Sequence, residues 1–265
     1  MANWFSTADR VLAARVEAAE SENMMRLADS LKRVQRDAAY EPFAGGVAVF
    51  AGVGSGMTHA VGIGMRFTPA EELERMEGFF RDRGSPCVID LCALADESVI
   101  GHVQTKPYRV AELNNVLARR IGADEEFGSM EGIEPVQEDR LEQAGRVILE
   151  GFSEAMPFPE DALPAMRASL EASHVFVSGH PTPVAAAAVG FRSGVAMFYG
   201  DATLAAGRRS GSQSKLIQAR LAAARQQSCD LAVATVLPGS GSHRNYERAG
   251  FQLIYMRVNV CRDFK

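Results

Sequence analysis

Arg208, Arg209, Ser210, Gly211, Ser212, Gln213, Ser214 and Lys215 bring guanidinium groups, hydroxyls and a glycine into one short stretch. That set suits an anion. Glycine has no Cβ, so a phosphate oxygen can come close to the backbone. A helix starting here would add free N–H groups and a partial positive charge. The stretch lacks the Gly-Lys-Ser/Thr ending of a P-loop, and only one glycine follows the arginines, which excludes a dinucleotide fingerprint. A Gly/Ser-rich helix start also has a plain reading as an N-cap and a turn, and the loop alone supports either.

The flanking segments supply the context. Residues 195–199 form an apolar run that reads as a strand, and residues 216–225 read as a helix. A strand at 231–236, a Pro-Gly-Ser-Gly turn at 238–241, a short helix through 244–250 and a last strand at 251–255 follow. This order resembles the Gcn5-related N-acetyltransferases, the GNAT superfamily. Arg208-x-x-Gly211-x-Gln213 falls on that superfamily's pyrophosphate loop, usually Gln/Arg-x-x-Gly-x-Gly/Ala. Tyr246-Glu247-Arg248-Ala249-Gly250-Phe251 falls on its late Tyr-Glu-Lys/Arg-x-Gly-Phe motif. Gln213 departs from the pattern, standing where Gly or Ala is usual. The resemblance covers roughly residues 130 to 260.

The resemblance implies an acetyl-CoA co-substrate and a primary-amine acceptor, small molecule or peptide, attacking directly in a ternary complex. It places pantetheine on the backbone of Ala202, Thr203 and Leu204. It places pyrophosphate on the loop Arg208, Arg209, Ser210, Gly211, Ser212, Gln213 and Ser214, with Asn245 also touching the cofactor. Acyl transfer to an amine needs a neutral nucleophile, a stabilised oxyanion and a proton for the departing thiolate. Tyr246 sits where the superfamily usually has that acid. A phenol with a pKa of about 10 stays protonated at neutral pH. Its plain reading is a core tyrosine. The base stays open between Asp201, Glu154 and a water relay, and either carboxylate also reads as solvated or structural. A non-catalytic acyl-CoA-binding or regulatory module is the alternative.

Composition bounds the rest. The 265 residues are 47% hydrophobic and 23% charged, as expected of a globular chain with one large or two small domains. A net charge of −5 argues against a nucleic-acid partner. Cys87, Cys92, Cys229 and Cys261 are scattered without CxxC pairs or histidines at metal spacing, so no metal site is expected. There is no secretory signal pattern, and no apolar stretch reaches the roughly 18 residues of a membrane span, so a cytoplasmic location without membrane contact is expected.

Residues 1–39 read as two helices, possibly continuous, with an N-cap from residues 6–9. Strands at 46–50 and 59–65 flank a glycine run, 52–56, read as a hairpin loop because no helix follows it. Thr68 as N-cap and Pro69 at the first helical position open a helix ending near Gly84. A strand at 87–92, a short helix and a strand at 109–117 complete an order resembling the C-terminal half. The expectation is an α/β chain of two GNAT-type domains, each a mixed, mostly antiparallel sheet flanked by helices. Residues 1–126 form a degenerate domain and 127–265 the catalytic one, joined through the acidic, glycine-containing stretch 122–132. Residues 67–72, which replace the basic loop, have no glycine and hold Glu71 and Glu72, which would repel pyrophosphate. In the second half, helices at 138–152 and 160–172 precede strands at 175–177 and 184–191. By the resemblance, residues 152–172 shape the acceptor pocket. His174, His180 and His243 read as surface histidines, and Arg244, Glu247 and Arg248 as a solvated helix face. Oligomeric state is open.

Overall fold

The computed structural model describes residues 9–153 and 162–264. In chain order the elements are α1 (Arg10–Leu31), β1 (Ala39–Phe43), β2 (Gly46–Phe50), β3 (His59–Val61), α2 (Ala70–Arg81), β4 (Cys87–Cys92), α3 (Glu97–Thr105) and β5 (Arg109–Arg120). They continue with β6 (Ile133–Pro135), α4 (Leu141–Ser153), α5 (Ala162–Leu170), β7 (His174–Ser178), β8 (Ala185–Arg192), β9 (Val195–Thr203), α6 (Ser212–Gln226), β10 (Leu231–Val236), α7 (Gly241–Arg248) and β11 (Gln252–Arg262). Two compact units result, neither contiguous in sequence. One holds Met1–Val116, Val236–Pro238 and Leu253–Lys265, and the other Leu117–Thr235 and Gly239–Gln252. This partition differs from a linear cut after residue 126 at the last strand. β11 lies mostly in the first unit because its hydrogen-bonding partner is β4, from Arg257 opposite Cys92 to Arg262 opposite Cys87.

In the first unit the strand order is β1-β2-β3-β4-β11, followed by residues 109–116 of β5. β3 and β4 are parallel, while β1–β2, β2–β3 and β4–β11 are antiparallel. Among the described residues the continuous alternative holds, as one helix, α1. Asp9 caps it, its carboxylate accepting from the Val11 and Leu12 amides at 2.9 and 3.0 Å. Its buried stripe runs through Ala13, Val16, Ala19, Asn23, Leu27 and Leu31, at the three- and four-residue steps of a helix face. β1 was not legible because Glu41-Pro42 interrupts it; proline is tolerated there since β1 is an edge strand. The second strand stops at Val61 rather than 65, since Gly62 and Gly64 take φ of 70° and 87°. Thr68 is not the α2 cap. Pro69 holds that position without a side-chain hydrogen bond, and the Thr68 hydroxyl donates to the Arg66 carbonyl instead.

The second unit orders residues 117–120 of β5, then β10-β9-β8-β7-β6. Its β9–β10 pair is parallel and its β6–β7, β7–β8 and β8–β9 pairs antiparallel. β8 shows how the sequence builds the layers. Ala185, Ala186, Ala187 and Ala188 are all fully buried. Ala186 and Ala188 pack with Leu141, Ala144, Val147 and Ile148 of α4, whereas Ala185 and Ala187 pack with Leu216 of α6. Successive strand residues face opposite sides, so a run of alanines admits a helix closely on both faces. α6 is thereby seated against the sheet with its N-terminus beside the end of β9.

Candidate functional site

The site begins where two parallel strands part. β9 and β10 pair from Val195–Leu231 to Phe198–Ala234, and the ladder stops there although both strands continue. The stop coincides with a bulge. Tyr199 faces Ala188 and Ala202 faces Ala186, so Gly200 and Asp201 together oppose Ala187. Gly200 has a φ of 66°, and a Cβ there would lie 3.3 Å from Ile148 Cδ1, so both conformation and space favour glycine. Bulges of this kind re-aim side chains beside functional sites, and here the side chain is Asp201.

Beyond β9 the chain turns through a short 3-10 segment, Ala205–Gly207, into the basic loop. Internal hydrogen bonds fix that loop. The Gly207 amide donates to the Leu204 carbonyl at 2.8 Å, and the Leu204 amide to the Val184 carbonyl at 2.8 Å, so both Leu204 backbone groups are engaged. Ser210 Oγ donates to the Gly207 carbonyl at 2.6 Å and lies 2.7 Å from Ser212 Oγ, which also accepts from Ser178 Oγ at 3.0 Å. Gly211 is the N-cap of α6, with a φ of 79°. The first turn of α6 therefore points backbone N–H groups at a surface flanked by the exposed residues Arg208 and Arg209.

A cleft of about 460 Å³ lies at this point. Of the residues read from the sequence as cofactor-binding, Thr203, Arg208, Arg209, Gly211, Ser212, Gln213, Ser214 and Asn245 line it. Asp201 and Ser242 line it as well. Ala202, Leu204, Ser210 and Tyr246 are not among its lining residues. Arg208, Arg209 and the α6 N-terminus give this wall a cationic character suited to a phosphate ester.

Behind the cleft a buried triangle joins Tyr246, Asp201 and Arg220. Tyr246 Oη donates to Asp201 Oδ2 at 2.8 Å. Arg220 holds the same carboxylate through two bonds, Nη1 to Oδ2 at 2.9 Å and Nη2 to Oδ1 at 2.5 Å, and its Nη2 lies 3.2 Å from the phenol oxygen. Arg220 also donates to the Leu216 and Ala188 carbonyls and sits 4.5 Å from the Phe198 ring centre. Tyr246 is 1% exposed and Arg220 fully buried. Burial pushes the Tyr246 phenol well above its ordinary pKa; Arg220 pulls it down, and Asp201 pushes it up. Burial pulls the Arg220 guanidinium down, and Asp201 more than offsets that, so its charge is firmly held. Arg220 was not among the residues read from the sequence. Its signal was position: Leu216, Ile217, Arg220, Leu221 and Ala224 share the buried face of α6, where an arginine needs an acidic partner.

The remaining predicted residues scatter. Glu154 lies outside the described residues. His174 stacks on Phe191 at 4.8 Å, and burial followed by Arg192 lowers its pKa. His180 is exposed and 3.4 Å from Glu134. His243 is more enclosed than a surface reading implies, its Nδ1 accepting from the Gly239 amide at 3.0 Å and its side chain 15% exposed. Arg244, Glu247 and Arg248 are exposed. All four cysteines are free and buried, and burial pushes the Cys87 and Cys92 thiols up to about 12. Among the described residues no cluster of three or more His, Cys, Asp or Glu could hold a metal ion, and no helix is long and apolar enough to cross a membrane.

No family model and no curated protein matches the chain. Solved structures do. A GCN5-related N-acetyltransferase from Kribbella flavida superposes with a TM-score of 0.68 at 18% identity, covering 96% of each chain. A tandem GNAT protein from the clavulanic acid biosynthesis pathway gives 0.58 at 9% identity, over 93% of this chain and 96% of its own. A GCN5-related N-acetyltransferase from Sphaerobacter thermophilus gives 0.56 at 14% identity, over 77% of this chain and 71% of its own. The chain therefore shares the fold of these Gcn5-related N-acetyltransferase structures, the tandem arrangement included.

Proposed function

We propose that the second unit is an acetyl-CoA-dependent N-acetyltransferase acting on a primary amine, small molecule or peptide, by direct attack in a ternary complex. One observation carries the reading: the parted β9–β10 ladder, the glycine-capped start of α6 and two exposed arginines converge on one cleft. The residues fit the co-substrate, which supplies an activated thioester when bound. The α6 N-terminus with Arg208, Arg209 and Gly211 would hold pyrophosphate. Thr203, on the open side of β9, would face the pantetheine arm. Asp201, at the bulge, sits between the cleft and the Tyr246–Arg220 pair. Tyr246 keeps its proton, the form required of a general acid toward a thiolate.

The first unit is a degenerate partner in this reading. Its helix start carries Glu72 in place of a basic loop; hydrogen bonding by the Ala44 amide at 2.7 Å and by Arg66 keeps that carboxylate below its ordinary pKa. The backbone beside β3 is also engaged. The Gly62 amide donates to Glu17 Oε2 at 3.1 Å, and the Gly64 carbonyl accepts from the Asp96 amide at 2.7 Å.

A second reading, a non-catalytic acyl-CoA-binding module, is favoured by one observation. Tyr246 is buried outside the cleft lining, with its hydroxyl hydrogen-bonded to Asp201. The experiment that decides is calorimetric titration with acetyl-CoA, with ATP and NAD as controls, followed by a screen of amines for acetyl transfer. Saturable binding to acetyl-CoA with turnover of any amine supports the enzyme. Binding with no turnover supports the module, and no binding ends both readings.

A further inference from the structure

Position 213, where the GNAT pattern has glycine or alanine, carries a glutamine that lines the cleft and whose side-chain amide is engaged at both ends. Its Nε2 donates to Ser242 Oγ at 2.8 Å, and its Oε1 accepts from Asn245 Nδ2 at 2.7 Å. Both partners belong to α7, three residues apart and so on one helix face. Both line the cleft. Asn245 is fixed from its other end too, since its Oδ1 accepts from Arg248 Nη1 at 2.9 Å. One amide thus ties the first turn of α6 to two polar side chains of α7 that line the same cleft.

We propose that Gln213 is a positioning residue, latching Ser242 and Asn245 of α7 to the start of α6 so that the cleft is preformed for acetyl-CoA. The proposal rests on the acyl-CoA reading above. A ligand entering a preformed wall does not bear the cost of ordering it, so losing the latch weakens binding. Obstruction by a bulky residue predicts the opposite sign, because removing the side chain would then tighten binding.

Gln213→Met keeps the length of the side chain and deletes both hydrogen bonds, whereas Gln213→Ala also removes the bulk. Each full-length variant is titrated calorimetrically with acetyl-CoA, and its thermal midpoint recorded. Both variants are expected to weaken binding about three- to tenfold, the range of one or two net hydrogen bonds. Adding Ser242→Ala to Gln213→Met should weaken binding less than the two single effects combined, because the shared bond is already gone. Tighter binding by Gln213→Ala with Gln213→Met unchanged would identify an obstruction and overturn the proposal. A lower thermal midpoint with unchanged affinity would reduce Gln213 to a structural tie and overturn it as well. If Gln213→Met fails to fold, Ser242→Ala alone, expected to weaken binding about two- to threefold, carries the same test. Failure of the unaltered protein to bind acetyl-CoA would instead sink the acyl-CoA reading itself.

Discussion

The Tyr246 hydroxyl donates a hydrogen bond to Asp201 across 2.8 Å, at the point where β9 bulges away from β10. The ring is held independently of the hydroxyl, packing on Phe251 at 4.9 Å and Phe198 at 6.4 Å between centroids. Tyr246→Phe therefore removes the hydroxyl and leaves the packing. With a general acid in this position, turnover should fall about a hundredfold or more, while calorimetric affinity for acetyl-CoA stays unchanged. Unchanged turnover would remove Tyr246 from the chemistry and make the triangle purely structural.

Arg220 is the residue on which that triangle depends. Its guanidinium is fully buried, and its bonds to Asp201 supply the compensating charge. Arg220→Met leaves the Asp201 carboxylate without its counter-charge, which costs about 3–5 kcal/mol for a fully buried pair and less than that here, because Asp201 opens onto the cleft. Arg220→Met combined with Asp201→Asn should regain part of that loss, because no uncompensated charge remains. Urea denaturation of the two variants measures the difference. Equal stabilities would show that the pair does not carry the energy assigned to it.

How far the sequence could be read depended on whether polar residues found buried partners elsewhere in the chain. The alanine run of β8 and the strand-loop-helix around Gly211 are local patterns and were legible. β11 was read only to residue 255 because Arg257, Asn259 and Arg262 interrupt its apolar run. In the structure these residues meet acids distant in sequence: Arg257 with Glu17 at 2.9 Å, Asn259 with Asp90 at 2.9 Å, and Arg262 with Glu77 at 2.6 Å. The same blindness hid Arg220. The placement of β11 in the first unit follows from these long-range pairs as well as from its ladder with β4, and no local periodicity encodes it.

His59 and Asp90, a largely buried pair in the first unit, carry a pH signature. His59 Nδ1 lies 3.4 Å from Asp90 Oδ1, with Glu20, Arg257 and Asn259 facing the pair. Burial pulls His59 down, but Asp90 outweighs it and raises the imidazole above its ordinary 6.5. Burial pushes Asp90 up, and His59 and Arg257 outweigh it and lower the carboxyl below 3.8. A raised histidine adds stability that is full below 6.5 and is lost as pH rises through its folded value; a lowered aspartate adds stability that is lost only as pH falls through its own. The pair should stabilise most between about pH 4 and pH 6.5. The urea midpoint of the unaltered protein should therefore exceed that of His59→Gln by more at pH 6 than at pH 9. A gap independent of pH would show that His59 does not change charge in this range.

Gly211 separates conformation from space. Its φ of 79° lies in the left-handed region, yet a Cβ built there meets nothing within 4 Å. Any penalty from Gly211→Ala is thus backbone strain, about 1–2 kcal/mol. The loop can relieve that strain by relaxing away from the left-handed geometry, which re-aims the N–H groups at the start of α6 and weakens acetyl-CoA binding. Asparagine tolerates left-handed φ better than alanine does, although its side chain is larger. Gly211→Asn should therefore bind acetyl-CoA more tightly than Gly211→Ala and unfold at a higher temperature. Close approach of a ligand to the backbone would reverse the order in affinity but not in stability, because the larger side chain would then stand in the ligand's path. Paired calorimetric titrations and thermal melts of the two variants distinguish a glycine needed for its φ from one needed for its missing side chain.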